Sequence, residues 1–188
     1  MKAHYFLAVL LILFITGCNT TATREGPDSW ESAVDSWSTH EDVAAWLSGN
    51  FRFDRGRQDV IQSRLRDQGP SGLLVREPEN LYARPRGFCA DSANFARESL
   101  NAIDPEYGAQ WVFVENARGR PNHWVTAFRQ EGNLYIMDYG AGPKWSAMNG
   151  VHGPYRNLGE YRDFLASLNL PDFGVGRVAY RSMPGTYD

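Results

Sequence analysis

The chain opens on an unbroken apolar run, Tyr5-Phe6-Leu7-Ala8-Val9-Leu10-Leu11-Ile12-Leu13-Phe14-Ile15, and turns polar from Asn19 to about Ser38. Beyond that point the apolar positions take helical spacing first. Thr39 stands three residues before Asp42 and ahead of Val43, Trp46 and Leu47, a capping-box-like helix start with a stop near Gly49-Asn50. His40 then falls in a solvated first turn. Val60, Ile61 and Leu65 predict a second helix over Gln58 to Gln68, ended by Gly69-Pro70. Pro78 to Gly87, with prolines at 78 and 85 and arginines at 84 and 86, reads as an ordered loop. From Cys89 onward, Ala93, Ala96, Leu100 and Ile103 recur at helical steps, so a helix turns one stripe to the core and Cys89 begins that stripe.

Downstream the period changes to two. Trp111-Val112-Phe113-Val114 reads as a buried strand, followed by a loop over Asn116 to Asn122. His123 to Phe128 and Leu134 to Asp138 form the arms of a hairpin around Gln130-Glu131-Gly132-Asn133. Alternation puts His123, Val125 and Ala127 on one face, and Leu134, Ile136 and Asp138 on one face of the other arm. A turn centred on Gln130-Glu131 makes His123 and Asp138 directly opposed; one centred on Glu131-Gly132 makes them diagonal neighbours. A glycine-rich loop with Trp145 and Tyr155 follows, then a helix capped by Asn157 and carrying Leu158, Tyr161, Phe164, Leu165 and Leu168 up to Pro171. Val175 to Arg181 supplies a last strand. Helices first and an antiparallel sheet afterwards predict an α+β domain.

The opening run is too short for a bilayer span, which takes ~20 apolar residues, and its basic start and small-residue end describe an export signal. Ile15-Thr16-Gly17-Cys18 resembles the bacterial lipobox, where cleavage leaves a lipid-bearing cysteine at the new N-terminus. The expected organisation is signal peptide 1–17, tether 18–38 with the possibility of a docked end, and one domain over 39–188. Residue 19 is Asn and not Asp, which by the lipoprotein sorting pattern points to the outer membrane, on its periplasmic side. Acyl chains on Cys18 anchor such a protein without a transmembrane helix. The full sequence has a formal net charge of −3, one unit less negative than the chain without Lys2, and offers no basic field for nucleic acid.

The sequence has two cysteines, and a lipidated Cys18 cannot form a disulfide with Cys89. An unpaired thiol in an oxidising compartment calls for a reason. Cys89 sits where a loop enters a helix, and such a helix start directs partial positive charge and free N–H groups at the sulfur, favouring the nucleophilic thiolate. His123 is the expected base and Asp138 the group that fixes its tautomer. The Cys89 N–H is aimed to receive an oxyanion, and Tyr82 is the candidate for a second donor. His152 is an alternative base, and Asp91 has the plainer reading of a carboxylate balancing the helix dipole. No cofactor and no metal cluster is expected.

Gly87-Phe88-Cys89-Ala90-Asp91-Ser92-Ala93, Asn122-His123-Trp124-Val125 and Leu134-Tyr135-Ile136-Met137-Asp138 are similar to the cysteine, histidine and aspartate segments of the transglutaminase-like superfamily, specifically its bacterial cysteine proteinases. The resemblance covers about residues 78 to 140. It implies a papain-like α+β core with Cys89 as nucleophile, His123 as base and Asp138 as orienter, acting on a protein or peptide. Calcium-dependent members flank the cysteine with acidic residues, whereas Phe88 and Ala90 stand here, so calcium dependence is not expected. Members include peptidases, amidases and cross-linking acyltransferases. A hydrolase is the expectation, and the alternatives are a cross-linking enzyme or an inactive lipoprotein that binds a partner through Trp145 and Tyr155.

Overall fold

The computed structural model describes residues 27–188; the export run and Cys18 lie outside the described residues. The elements run α1 (Trp30–Ser36), α2 (His40–Asn50), β1 (Arg52–Phe53), α3 (Arg55–Gln68), β2 (Leu74–Val75), α4 (Pro78–Ala83), β3 (Arg86–Gly87) and α5 (Cys89–Ile103). Then come β4 (Gln110–Asn116), β5 (His123–Gln130), β6 (Asn133–Asp138), β7 (Gly150–Tyr155), α6 (Leu158–Ser167), β8 (Val175–Tyr180) and β9 (Thr186–Tyr187). Mixed helix and sheet in this order agrees with an α+β domain.

Five strands form one antiparallel sheet in the order β7-β6-β5-β4-β8. One face packs on α6 through Val112, Val114, Val125, Ala127, Leu134 and Ile136. The other carries Trp124, Thr126, Phe128 and Met137 toward α5, where the Thr126 hydroxyl donates to the Ala93 carbonyl at 2.6 Å. The sheet is therefore covered on both sides, and α5 is buried along most of its circumference rather than along one stripe.

Several local expectations needed revision. Residues 30–36 are helical, with Ala33 and Val34 buried and the Trp30 indole donating to Ser99, so the folded unit reaches upstream of residue 39. His40 is buried, not solvated: its ring packs 5.1 Å from Phe128 and its backbone N–H donates to the Tyr107 hydroxyl. That follows from α2 docking its first turn on an aromatic cluster. The loop expected over residues 78 to 87 begins with a short helix, for which Pro78 at the first helical position was the available signal. The glycine-rich stretch after Gly142 holds β7, an edge strand that tolerates Pro154 because an edge need not donate every N–H. α3 starts at Arg55, capped by Asp54, three residues before the predicted position.

Two parallel two-stranded ribbons, β1 with β3 and β2 with β9, brace the approach to α5. The second brings the last residues of the chain beside the start of the same helix, where Asp188 accepts from Arg57.

Candidate active site

Three elements meet at one end of the sheet: the start of α5 with Cys89, the start of β5 with His123, and the end of β6 with Asp138. The hairpin pairs Gln130 with Asn133 and Thr126 with Met137. It therefore turns on Glu131-Gly132, both at positive φ, and His123 and Asp138 are diagonal neighbours on one face. The imidazole Nε2 lies 2.6 Å from Asp138 Oδ2, and both residues are almost fully buried. Asp138 Oδ1 in turn accepts the Gly140 N–H at 3.0 Å, which fixes the carboxylate plane.

With Nε2 taken by Asp138, Nδ1 is the ring nitrogen left to face Cys89. Burial is the largest influence on His123 and favours the neutral ring. It is outweighed by the charge and hydrogen bond of Asp138 and then by those of Cys89, so the pKa is raised from 6.5 to about 10. Such a histidine holds its proton at neutral pH and can give it up only as charge is neutralised beside it. Trp145 covers the ring edge-on at 6.4 Å, held by its own indole bond to the Pro171 carbonyl.

Cys89 is the first residue of α5, and among the described residues no acceptor takes its backbone N–H. The orphan donor and the helix dipole both point to where charge would develop on a bound carbonyl oxygen. Cys89 is buried among Phe88, Ala93 and Trp124, with 5% of its surface exposed, and it borders a cleft of about 140 Å³ together with Gln62, Phe113 and Asn122.

Asp91 does more than offset a dipole. Its carboxylate receives the Phe88 N–H (2.9 Å), the Arg76 N–H (2.8 Å) and two guanidinium bonds from Arg57 (2.8 and 3.0 Å). Burial pushes this carboxyl upward, opposed by those donors. On Arg57, burial is outweighed by Asp91 and Asp188, and the guanidinium pKa is raised. The network ties α3, the β2–β9 ribbon and the turn into α5 together, so it sets where Cys89 sits. Gly87 must be glycine here, since a Cβ would lie 2.6 Å from Asp91 Oδ2.

Other sequence candidates lie apart. The Tyr82 hydroxyl donates to the Pro27 carbonyl at 2.8 Å and its ring stacks on Trp46, in a different cluster from Cys89. This corrects the oxyanion assignment: α4, unforeseen as a helix, turns that side chain toward α2. His152 has its Nε2 at 2.6 Å from the Met148 carbonyl and its ring on Phe164. Trp145 is buried and Tyr155 half-buried, so neither forms the exposed aromatic surface of the binding alternative. Sequence reasoning missed Arg57, which reaches Asp91 from 34 positions away, and the close approach of Gly140 to Cys89; neither carries a local pattern.

No family model matches the sequence, and no curated protein matches it either. Among solved structures, Legionella pneumophila LapG (EGTA-treated) is similar with a TM-score of 0.40 and 19% sequence identity, over 58% of this chain. The match spans 59% of that chain.

Proposed function

We propose that this chain is a cysteine hydrolase of peptide or amide bonds that works through a thioester on Cys89. The observation that carries the reading is the buried His123–Asp138 bond of 2.6 Å, which leaves the opposite ring nitrogen to Cys89 at a helix N-terminus. In the first half-reaction the Cys89 sulfur attacks the substrate carbonyl carbon, and the oxyanion is received by the Cys89 N–H. The carbon–nitrogen bond then breaks while His123 passes its proton to the leaving amine. In the second half, water attacks the thioester, His123 takes the water's proton, and the acid leaves as the sulfur is released. Asp138 holds the ring orientation and favours its charged form throughout. In the same reading the chain is exported and held by lipid on Cys18 at the periplasmic side of the outer membrane, with papain-like architecture around the site.

Acid-quenched incubation with a peptide pool, followed by mass mapping, tests the chemistry. An acyl adduct on the Cys89 peptide, cleaved products in solution and no adduct in Cys89→Ala are the expected results. Products in which an added primary amine is joined to the acyl group, in excess over hydrolysis, would replace the hydrolase by an acyltransferase. Turnover that survives Cys89→Ala would overturn the reading.

A further inference from the structure

Beside the Cys89 cleft lies a larger one, about 450 Å³, lined by Phe53, Arg55, Gln58, Pro121, Gly142, Trp145 and others. Arg120 lines both, so the two adjoin. The floor is shared as well: Arg55 and Gln58 of α3 face the larger cleft, while Gln62 and Leu65, further along the same helix, face the smaller. These positions are spaced by three or four, the interval of one helical face. A groove therefore runs along α3 from Arg55 to Leu65 and passes Cys89.

The smaller cleft is walled by Leu65, Leu73, Phe88, Phe113 and Trp124, and it also holds Arg181 and the shared Arg120. The larger holds three cations, Arg55, Arg120 and Lys144, against one carboxylate, Asp172. Asp172 is already joined to Lys144. Arg55 and Arg120 are exposed and, among the described residues, have no ion-pair partner. Two uncompensated guanidinium groups on an otherwise acidic protein are suited to a carboxylate, which they can grip by paired N–H bonds.

Resting on the hydrolase reading above, we propose that the substrate is an extended polypeptide carrying Asp or Glu close to the cleaved bond, held by Arg55 and Arg120. No contribution from Lys144 is needed, because its charge is met by Asp172.

The test is cleavage of a synthetic random decapeptide library by the full chain, with the cut sites read by mass spectrometry. Asp and Glu are expected to be enriched roughly threefold to fivefold within three residues on one side of the cut, the range of an exposed ion pair, and less so at high salt. Arg55→Gln with Arg120→Gln should abolish that enrichment, and Arg55→Glu with Arg120→Glu should replace it by Lys and Arg. Because the readout is a ratio among products, a change in overall rate does not mask it. Cleavage without acidic enrichment, or enrichment untouched by the charge reversal, overturns this inference alone. A library left uncut by the wild-type chain removes the hydrolase reading and this inference with it.

Discussion

Gly140 packs so closely on Cys89 that a Cβ at this position would lie 2.4 Å from the Cys89 Cα. Its N–H also donates to Asp138 Oδ1, so one residue spaces the β6 end from the nucleophile and orients the carboxylate. Gly140→Ala must displace backbone on one side or the other. The expected result is a fall in kcat of about 10²-fold, since displacements near 1 Å are enough for that. Steady-state kinetics beside a thermal melt will separate it from unfolding; an alanine variant with wild-type kcat would show that the spacing is not needed.

Asp138→Asn keeps the shape of the side chain but removes the charge that holds His123 protonated. Loss of kcat by about 10²- to 10⁴-fold is expected, with KM changed much less. Kinetics on any cleaved peptide check this, and an unchanged rate would mean that another group orients the ring.

The raised pKa of His123 has a stability consequence whose sign is fixed. The folded ring binds a proton more tightly than an unfolded ring at ~6.5, so its stabilising contribution is complete below that pH and is lost as pH rises toward about 10. Denaturant melts of wild type and His123→Gln across pH 6 to 10 should therefore converge as pH increases. A gap that widens with pH would reverse the assignment.

Removing the Asp91 charge leaves the Arg57 guanidinium with only the part-exposed Asp188 as a carboxylate partner near the base of α5. Asp91→Asn should lower stability by ~3 kcal/mol, as for other buried pairs broken on one side. Urea unfolding measures it. Asn94, three residues after Asp91 on the same helix, is a useful contrast: its amide bonds only to the Arg76 carbonyl, so Asn94→Ala should lower stability less.

Much of this site was legible because it rests on local rules. Cys89 begins a helix that starts at the predicted residue, and the two-residue alternation that put His123 and Asp138 on matching faces holds across the hairpin. The turn register was left between two choices, and the positive φ values of Glu131 and Gly132 decide it for the diagonal one. What stayed hidden depends on packing between distant segments. Arg57 reaches Asp91 across 34 positions, and Tyr82 turns away to Pro27, 55 positions earlier. Gly150, Gly153 and Pro154 mask β7, a strand whose only paired neighbour among the described residues is β6. Trp145 looked like a surface aromatic because its loop is polar, yet it folds back to cover His123.

The partnership of Cys89 with His123 is tested most directly by the rate at which iodoacetamide alkylates Cys89 at neutral pH, followed by peptide mapping. The account predicts that Cys89 of the wild type is alkylated about tenfold or more faster than Cys89 of His123→Ala. Equal rates in the two folded proteins would contradict it.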